Sequence, residues 1–265
     1  MTFFEALLLG IIQGATEFLP ISSSGHLVLS EAIIGISEGG LLVEVTLHAG
    51  TLVAVLVYFR SRLYRLFSRA FQSGDDGFES RRYLLWLLVA TIPAGVAGLL
   101  FEDSITAAFE SPRVALTGLL LTGAILFSTR WSNEREKPVA GLPGLWMGLA
   151  QALAIVPVIS RSGSTIAAGM WSGVNRREAA EFSFLLSVPA IGGASLLQLL
   201  DLMKGSAGGT ESLALGLIAG FVAAFISGYA AIAVLLEVLR RRGLVPFAWY
   251  CWLVGLLGLI LTWLM

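Results

Sequence analysis

Four residues with reactive or permanently charged side chains interrupt apolar stretches of this sequence: Glu17, Ser23, His26 and Arg161. A carboxylate or an imidazole transfers protons, and a hydroxyl or an imidazole attacks phosphorus. A guanidinium is permanently charged, and its planar fork matches two oxygens of a phosphate. Charged groups inside apolar segments are costly and therefore mark candidate functional sites. Together these four side chains predict a site that suits a diphosphate undergoing hydrolysis.

The roles of these residues leave two assignments of the nucleophile open. Either Ser23 or His26 attacks phosphorus and the other assists by proton transfer, while Arg161 and backbone amides hold the developing charge. Glu17 acts as a base or holds a divalent cation, Mg²⁺ or Ca²⁺, that bridges the phosphate oxygens. Gln13 lies four residues before Glu17, on the same face of a helix, and is the second candidate metal ligand.

Small and hydroxylated residues beside the four side chains are candidates for binding phosphate: Ser22, Ser24, Gly25, Ser160, Ser162, Gly163 and Thr165. Each group opens a short helical stretch, and the free amides of a helix N-terminus bind anions. Packing is the simpler interpretation of either group alone, because small residues let membrane helices approach closely. The simpler interpretation of Arg161 alone is that it forms a structural ion pair with Glu17. The coincidence of these features in two segments favours the functional interpretation.

The composition is that of a membrane protein. Of the 265 residues, 56% are hydrophobic and only 13% are charged, and the mean hydropathy is +0.83. Such a chain is far too apolar for a soluble domain of this size. The net charge is −1, and the seven Trp and fifteen Phe residues are interpreted as lipid-facing or interfacial, so no nucleic-acid partner is expected. A single cysteine, Cys251, excludes a disulfide framework within one chain.

Six stretches approach the length needed to cross a bilayer: Leu41 to Phe59, Tyr83 to Leu100, Val114 to Thr129, Ala179 to Leu200, Leu213 to Leu239 and Leu244 to Met265. Two further apolar stretches, Thr2 to Ile36 and Leu142 to Val174, are broken midway by Pro, Ser and Gly. Irregular backbone survives at membrane depth only where protein or a polar cavity surrounds it. Each broken stretch is therefore predicted to be a re-entrant pair of half-helices.

Most basic residues fall in four clusters: Arg60 to Arg82, Arg130 to Lys137, Arg176 with Arg177, and Arg240 to Arg242. Six crossings and two re-entrant pairs place all four clusters on one side, which positive residues mark as cytoplasmic. Broken segments that crossed the membrane fully would scatter the clusters over both sides. Both termini and the opening of the first re-entrant pair then lie outside, so the active site is expected to face the outer side.

The two broken segments match at an offset of 138 residues, which pairs Gly10 with Gly148 and Gln13 with Gln151. We predict one membrane domain made of two repeats, about residues 1–129 and about residues 142–265. Each repeat holds one re-entrant pair and three crossings, so the second copy starts from the opposite side of the membrane. The expected fold class is an all-α integral membrane protein with six transmembrane helices and two re-entrant pairs in an inverted-topology repeat.

The segment from Gly14 to Leu27, with the sequence GATEFLPISSSGHL, resembles the first signature of the undecaprenyl-diphosphate phosphatase family. The segment from Gln151 to Thr165, followed by Ala179 to Pro189, is similar to the arginine region of that family. Length and hydropathy match throughout. The resemblance implies that the essential polar residues are Glu17, Ser23, His26 and Arg161.

The resemblance also implies an activity and a location. Members of this family convert undecaprenyl diphosphate to undecaprenyl phosphate and inorganic phosphate, and so recycle the lipid carrier of cell-wall peptidoglycan synthesis. A multi-pass protein of the bacterial plasma (inner) membrane is implied, with a divalent metal requirement and an association with bacitracin resistance. The partners expected are a polyprenyl diphosphate lipid and membrane lipid, with a homodimer as one possible assembly.

Two positions depart from the family pattern. Many members have Glu where this chain has Gln13, and an amide oxygen binds a hard cation more weakly than a carboxylate does. Val158 follows Pro157 where the family commonly has Gly, so an altered turn is expected there.

Two other functions fit parts of the pattern. A lipid or ion transporter shares the inverted-repeat architecture and would use a diphosphate site for recognition without cleavage. Phosphatases of the phosphatidic-acid-phosphatase superfamily have similar Ser-Gly-His and Ser-Arg motifs. Their chemistry needs a second histidine after the arginine, and this chain has none beyond His48, so that function is excluded.

Overall fold

The computed structural model describes residues 2–34, 40–101, 111–155, 159–204 and 214–264, and the regular secondary structure in these ranges is entirely helical. The helices are α1 (Phe3–Phe18), α2 (Ser23–Ile34), α3 (Gly40–Tyr58), α4 (Arg60–Ala70), α5 (Asp75–Leu100), α6 (Pro112–Ser128), α7 (Leu142–Ile155), α8 (Arg161–Trp171), α9 (Arg176–Lys204), α10 (Ala214–Arg242) and α11 (Val245–Leu264). A 3₁₀ turn, Thr129–Trp131, extends α6. The predicted all-α class is confirmed.

The long helices have the length and surface of membrane spans. Within the described ranges, α5, α6, α9, α10 and α11 are long and apolar enough to cross a bilayer, and α3 joined with α4 across a 67° bend makes a sixth. One face of α5 is exposed and wholly apolar: Leu85, Leu88, Ile92, Val96 and Leu99. Such a stripe is unfavourable in water and favourable in lipid. The chain is an integral membrane protein with several crossings.

The four basic clusters lie together at one end of the helix bundle, which we call the basic end. Arg62 of the first cluster forms an ion pair of 2.5 Å with Glu181, near the start of α9. Arg176 of the third cluster forms an ion pair of 2.5 Å with Glu134 in the second cluster. Arg176 also donates a hydrogen bond to the carbonyl of Leu239, beside the fourth cluster. The clusters therefore share one end, as the charge pattern predicts.

The second broken segment enters and leaves the bundle at the basic end. The carbonyl of Ala140, just before α7, accepts a hydrogen bond from Arg82. After α8, the carbonyl of Gly173 accepts a hydrogen bond from the backbone amide of Lys137, in another basic cluster. Both outer ends of the α7–α8 pair therefore lie on the same side, which is the geometry of a re-entrant hairpin.

The interior of this hairpin shows the same arrangement. The 14 residues of α7 and 11 of α8 extend only about 21 and 17 Å at ~1.5 Å per residue, short of the hydrocarbon thickness of about 30 Å. Gly169, near the end of α8, lies against Met147 in the first half of α7, because a Cβ added at Gly169 would be 3.0 Å from the Met147 Sδ. The two half-helices therefore run antiparallel.

The first broken segment enters from the opposite end. Thr2 caps α1 through a reciprocal pair of hydrogen bonds with Glu5. A Cβ added at Gly216, near the start of α10, would be 3.6 Å from Ala6, and α10 ends in a basic cluster. Helix α3 also ends next to a basic cluster, so its start lies at the same opposite end. The chain thus enters through α1 and returns through α2 before α3 crosses.

The order of the helices repeats along the chain. Adding 138 to the bounds of α1 and α2 brings them onto α7 and α8 within one residue, and adding 138 to those of α3, α5 and α6 brings them onto α9, α10 and α11 within eight residues at each end. Packing repeats as well, because α1 packs against α10 and α7 packs against α5. The re-entrant helix of each half therefore packs on a crossing helix of the other half. The division into two repeats within one membrane domain stays a prediction, with which this correspondence agrees.

Glycines bring α1 and α10 into backbone contact. A Cβ added at Gly10 would be 2.3 Å from the carbonyl oxygen of Gly220, and one added at Gly14 would be 2.1 Å from the Ser227 Oγ. Ser227 also donates a hydrogen bond of 3.4 Å to the Gly10 carbonyl. No side chain fits in this contact. The close approach fixes the position of α1, which carries Glu17.

Gly10→Ala should lower the thermal stability of the purified protein. The added methyl group must displace the backbone of α10, and overpacking typically costs about 1–3 kcal/mol. Gly98→Ala in α5 is the matched control, since a Cβ there meets no atom within 4 Å. Unfolding midpoints in detergent should fall for Gly10→Ala and hold or rise for Gly98→Ala. Equal midpoints would contradict a backbone contact at Gly10.

Candidate active site

Glu17 joins the two hairpins at the centre of the site, and its side chain is buried. The Oε1 atom accepts a hydrogen bond from the Arg161 guanidinium, with which Glu17 forms an ion pair. The Oε2 atom accepts hydrogen bonds from the Ser23 hydroxyl at 2.7 Å and from the Gln13 amide at 3.1 Å. The structure thus brings together on one carboxylate a predicted nucleophile, a predicted cation and a predicted metal ligand.

The position of Glu17 follows from where α1 ends. Gln13 and Glu17 are one helical turn apart and project from the same face. The helix ends at Phe18 because Pro20 disfavours a helical conformation in the preceding residue, and Leu19 is extended with φ −63° and ψ 141°. A negative charge at the C-terminal end of a helix is unfavourable. The guanidinium from the other hairpin offsets that cost.

Ser22 forms the turn between α1 and α2. Its φ of 66° lies in the left-handed region, which residues other than glycine adopt rarely. Such a conformation costs about 1–3 kcal/mol and persists where the surrounding structure holds it, often in active sites. The Ser22 Oγ accepts a hydrogen bond of 3.3 Å from the Gly25 amide and lies 3.5 Å from the Ser24 Oγ. This turn places Ser23 beside Glu17.

His26 is held by two hydrogen bonds in a single orientation. Its Nδ1 atom donates to the carbonyl of Ser22 at 2.8 Å. Because a carbonyl only accepts, Nδ1 carries a proton, and in the neutral ring Nε2 accepts from the Tyr250 hydroxyl at 2.8 Å. The rings of His26 and Tyr250 are also stacked, with centroids 5.7 Å apart and an interplanar angle of 11°. His26 therefore lies near the site but is bonded to α11 rather than to Glu17.

The second hairpin uses its serines to hold its own turn. The Ser160 Oγ caps α8 by accepting a hydrogen bond of 3.1 Å from the Gly163 amide. The Ser160 amide donates to the Thr122 hydroxyl in α6 at 3.0 Å. Ser162 donates a hydrogen bond of 3.1 Å to the carbonyl of Leu19 in the first hairpin. The two breaks in the chain are therefore bonded directly to each other.

Helix α9 holds Arg161 from the other side. The Nη1 atom of Arg161 donates to the carbonyl of Ser183 at 3.5 Å. The Thr165 hydroxyl lies 2.5 Å from the Ser183 hydroxyl and donates to the carbonyl of Arg161 at 2.9 Å. The guanidinium is thus fixed between α9 and Glu17, and these two hydrogen bonds use only two of its five N–H groups, which leaves the others for an anion.

Residues 6–257 match the family model described as Bacitracin resistance protein BacA. The chain belongs to this family. It is 43% identical to the undecaprenyl-diphosphatase of Methanobrevibacter smithii over 97% of this chain and 96% of the relative. It is also 43% identical to the undecaprenyl-diphosphatase of Syntrophotalea carbinolica, over 96% of this chain and 97% of the relative. These matches confirm the resemblance that the two sequence motifs indicate.

In this BacA-family chain the predicted phosphate-binding residues have protein partners. The hydroxyls of Ser160, Ser162 and Thr165 are buried and bonded within the hairpins, and their contact with phosphate stays a prediction. Ser22, Ser24, Gly25 and Gly163 lie at the two turns, where the predicted anion-binding amides begin each helix. The altered turn expected at Pro157 and Val158 falls in residues 156–158, outside the described ranges.

Three residues of this site were missed by sequence reasoning: Thr122, Ser183 and Tyr250. Thr122 and Tyr250 belong to helices in which only the apolar character was noticed, and a tyrosine near a helix end is a common interfacial feature. Ser183 lies in the arginine region that carries the resemblance, but it contributes its backbone carbonyl to Arg161. A contact made by a backbone carbonyl does not depend on the type of side chain, so the sequence does not indicate it.

The fit of a divalent cation depends on Gln13. Within the described residues, no three His, Cys, Asp or Glu side chains lie close enough together to hold a metal ion. However, the Oε1 atom of Gln13 is buried without a hydrogen-bond partner, next to Glu17. Mg²⁺ is commonly bound by one or two carboxylates together with phosphate oxygens and water. Glu17 and Gln13 therefore fit a cation that the substrate helps to bind.

Proposed function

We propose that this chain hydrolyses undecaprenyl diphosphate to undecaprenyl phosphate and inorganic phosphate. The observation that carries the proposal is that Ser23 and Arg161 bond to the two oxygens of one carboxylate, Glu17. A nucleophile, its base and a phosphate-binding cation are then adjacent. The names of the relatives support the same activity and substrate. Recycling of the lipid carrier for cell-wall synthesis follows from this reaction.

In the first step, the Ser23 Oγ attacks the terminal phosphorus and its proton passes to Glu17. The new bond joins phosphorus to the Ser23 Oγ, and the bond from phosphorus to the bridging oxygen breaks, so undecaprenyl phosphate leaves. Arg161 binds the non-bridging oxygens, on which negative charge concentrates in the transition state. The hydrogen bond of 2.7 Å from Ser23 to Glu17 favours Ser23 over His26 as the nucleophile.

In the second step, water attacks the phosphoserine. The water proton passes to His26, the bond from phosphorus to the Ser23 Oγ breaks, and Glu17 returns the first proton to Ser23 as phosphate leaves. The neutral His26 ring has its unprotonated nitrogen on the side of Tyr250. For His26 to act as the base of this step, the attacking water takes the place of the Tyr250 hydroxyl at that nitrogen.

A divalent cation, Mg²⁺ or Ca²⁺, is part of the proposal. Glu17 and Gln13 would hold it, and when bound it would neutralise charge on the phosphate oxygens. Without it, Arg161 and the amides at the starts of α2 and α8 bind and orient the diphosphate.

We also propose that the chain resides in the bacterial plasma membrane with its basic end in the cytoplasm, which the positive-inside rule supports. The α1–α2 hairpin enters from the opposite end, and this supports a site that faces the outer side. Labelling of a cysteine introduced at Ser24 by a reagent that cannot cross intact cells tests this orientation. A homodimer stays a prediction, which cross-linking in membranes would test.

The experiment that tests the function is phosphate release from undecaprenyl diphosphate by purified protein in detergent. Wild type and Glu17→Ala are compared, each with and without EDTA. Release by wild type that is lost in Glu17→Ala, with both proteins folded, supports the hydrolase. Loss with EDTA supports the cation separately. No release from folded wild type would overturn the proposal.

A transporter of lipids or ions is the second candidate. The observation that favours it is that hairpins from opposite ends of the bundle meet at the Glu17–Arg161 ion pair, as broken helices do at the substrate sites of inverted-repeat transporters. Transport of the intact lipid between the leaflets of protein-containing vesicles, without phosphate release, would favour this function over hydrolysis.

Gln13→Glu should tighten activation by divalent cations. A carboxylate in place of the unpartnered amide oxygen gives a hard cation a second charged ligand. The concentration of Mg²⁺ that gives half-maximal phosphate release should fall by about ten-fold, for a gain of about 1.4 kcal/mol. An identical titration for wild type and variant would place Gln13 away from the cation.

Tyr250→Phe should reduce kcat by about three- to ten-fold while KM changes little, because one hydrogen bond contributes about 0.5–1.5 kcal/mol. The variant keeps the stacked ring and removes only the hydroxyl that orients His26. Tyr229→Phe is the matched control, since Tyr229 contacts Tyr58 through its ring. Steady-state kinetics of both variants test the role. A Tyr250→Phe enzyme with unchanged kcat would exclude it.

A further inference from the structure

A groove of about 280 Å³ opens at the basic end, outside the proposed active site. It lies between the loop that follows α6 and the end of α8, and the residues that line it include Trp131, Asn133, Arg135, Lys137 and Trp171. Pockets for drug-sized ligands usually measure about 300–1,000 Å³. A groove of this size accommodates a polar head group.

The groove carries positive charge, and the residues that line it include no acidic side chain. Arg135 and Lys137 are exposed, and neither forms an ion pair within the part of the chain that the structure describes. Of the two acidic residues beside them, Glu134 forms an ion pair of 2.5 Å with Arg176, and Glu136 is exposed and is not among the residues that line the groove. The groove therefore presents two cationic side chains to a ligand.

The backbone of the groove is fixed before any ligand binds. The amides of Arg135 and Lys137 donate hydrogen bonds of 3.0 and 3.2 Å to the same acceptor, the carbonyl of Gly173. Gly173 itself has a φ of 89°, which favours glycine. These contacts hold the loop against the end of α8 and keep the two cationic side chains close together.

Two tryptophans place the groove at the level of lipid head groups. Trp131 is 69% exposed and Trp171 is 52% exposed, and exposed tryptophans in membrane proteins concentrate at the interface between lipid and water. The Arg130 guanidinium lies 4.8 Å from the ring centroids of both Phe127 and Trp131 and adds a third positive charge nearby.

We propose that this groove binds the phosphate head group of an anionic phospholipid. The phosphodiester is negatively charged, so it pairs with Arg135 and Lys137, which form no ion pair with an acidic side chain in the described residues. The two tryptophans contact the boundary between the head groups and the acyl chains. The basic end, if cytoplasmic, faces the leaflet that is rich in anionic lipid. The site is separate from the proposed hydrolysis, so its occupant is a lipid of the surrounding bilayer.

The test compares lipid binding to purified full-length protein in neutral detergent, by native mass spectrometry and thermal unfolding. The probes are phosphatidylglycerol, phosphatidylcholine and glycerol phosphate. Arg135→Gln combined with Lys137→Gln removes the two charges of the groove. Arg65→Gln combined with Arg242→Gln is the matched control, because both residues are exposed at the basic end and belong to other clusters. Phosphate release is measured for all samples as an independent readout.

We expect phosphatidylglycerol to bind wild type and the control alike, to bind the groove variant at least about ten-fold more weakly, and to raise the unfolding temperature only where it binds. Phosphate release in detergent should be equal in the three proteins. Equal losses in groove variant and control would show a diffuse charge effect and overturn the proposal. Equal binding of phosphatidylcholine, or equal stabilisation by glycerol phosphate, would overturn it as well.

Discussion

Arg161→Ala is expected to lower phosphate release from undecaprenyl diphosphate by at least about a hundred-fold, or ~3 kcal/mol of transition-state stabilisation. Arg161 bonds to Glu17 and is held by the Ser183 carbonyl, so its loss removes the positive charge proposed to bind the non-bridging oxygens of the terminal phosphorus in the transition state. Initial rates at saturating and low substrate measure the effect on kcat and kcat/KM separately.

A second variant distinguishes a catalytic role of Arg161 from a structural one. Removing one partner of a buried ion pair costs about 3–5 kcal/mol, so a loss of activity in Arg161→Ala alone does not separate unfolding from lost catalysis. Arg161→Lys keeps the charge and the pairing with Glu17 but loses the planar fork. A lysine variant that folds and has full activity would leave Arg161 only the structural role, whereas strong loss with an intact unfolding transition supports phosphate binding.

Ser23→Ala is expected to abolish turnover, to the level of the uncatalysed background. The substitution removes the proposed attacking oxygen and only one of the hydrogen bonds to Glu17, so the Arg161 ion pair remains. Ser24→Ala is the matched control, because Ser24 lies in the same turn and is 3.5 Å from the Ser22 hydroxyl. Its activity should stay within about ten-fold of wild type, as the loss of one hydrogen bond costs ~1 kcal/mol.

The phosphorylated intermediate distinguishes the two nucleophiles directly. Wild type is quenched during turnover of substrate that is labelled in the terminal phosphate. A phosphoserine is stable in acid, whereas a phosphohistidine is lost in acid. Label that survives acid and maps to Ser23 supports the proposed first step. Acid-labile label on His26, together with turnover in Ser23→Ala, would reverse the assignment.

The breaks in the chain were the most informative part of the sequence. Pro20 and the serines after it end α1, and a similar break with Pro, Ser and Gly recurs 138 residues later. The residue types at the two breaks were therefore enough to predict two hairpins and the place where they meet. Glu17 and Arg161 were identified because charged groups in apolar segments are costly. The structure places them in one ion pair.

The contacts that orient those groups could not be predicted. His26 bonds to Tyr250, which is 224 residues away in the sequence, and only the folded packing of α11 brings the two together. Several hydroxyls predicted to bind phosphate were found in protein hydrogen bonds, because a buried turn must satisfy its own amides and carbonyls. Ser160 caps α8 for that reason.

The correspondence between the two halves of the chain has a consequence for how the reactive groups are distributed. At the positions equivalent to Glu17, Ser23 and His26, the second hairpin has Ile155, Arg161 and Ser164. In the proposed reaction, a scaffold with two equivalent positions therefore has one reaction centre, to which the two halves contribute different groups. Under that proposal the first half supplies the carboxylate and the nucleophile, the second half supplies the cation, and neither half has the complete set.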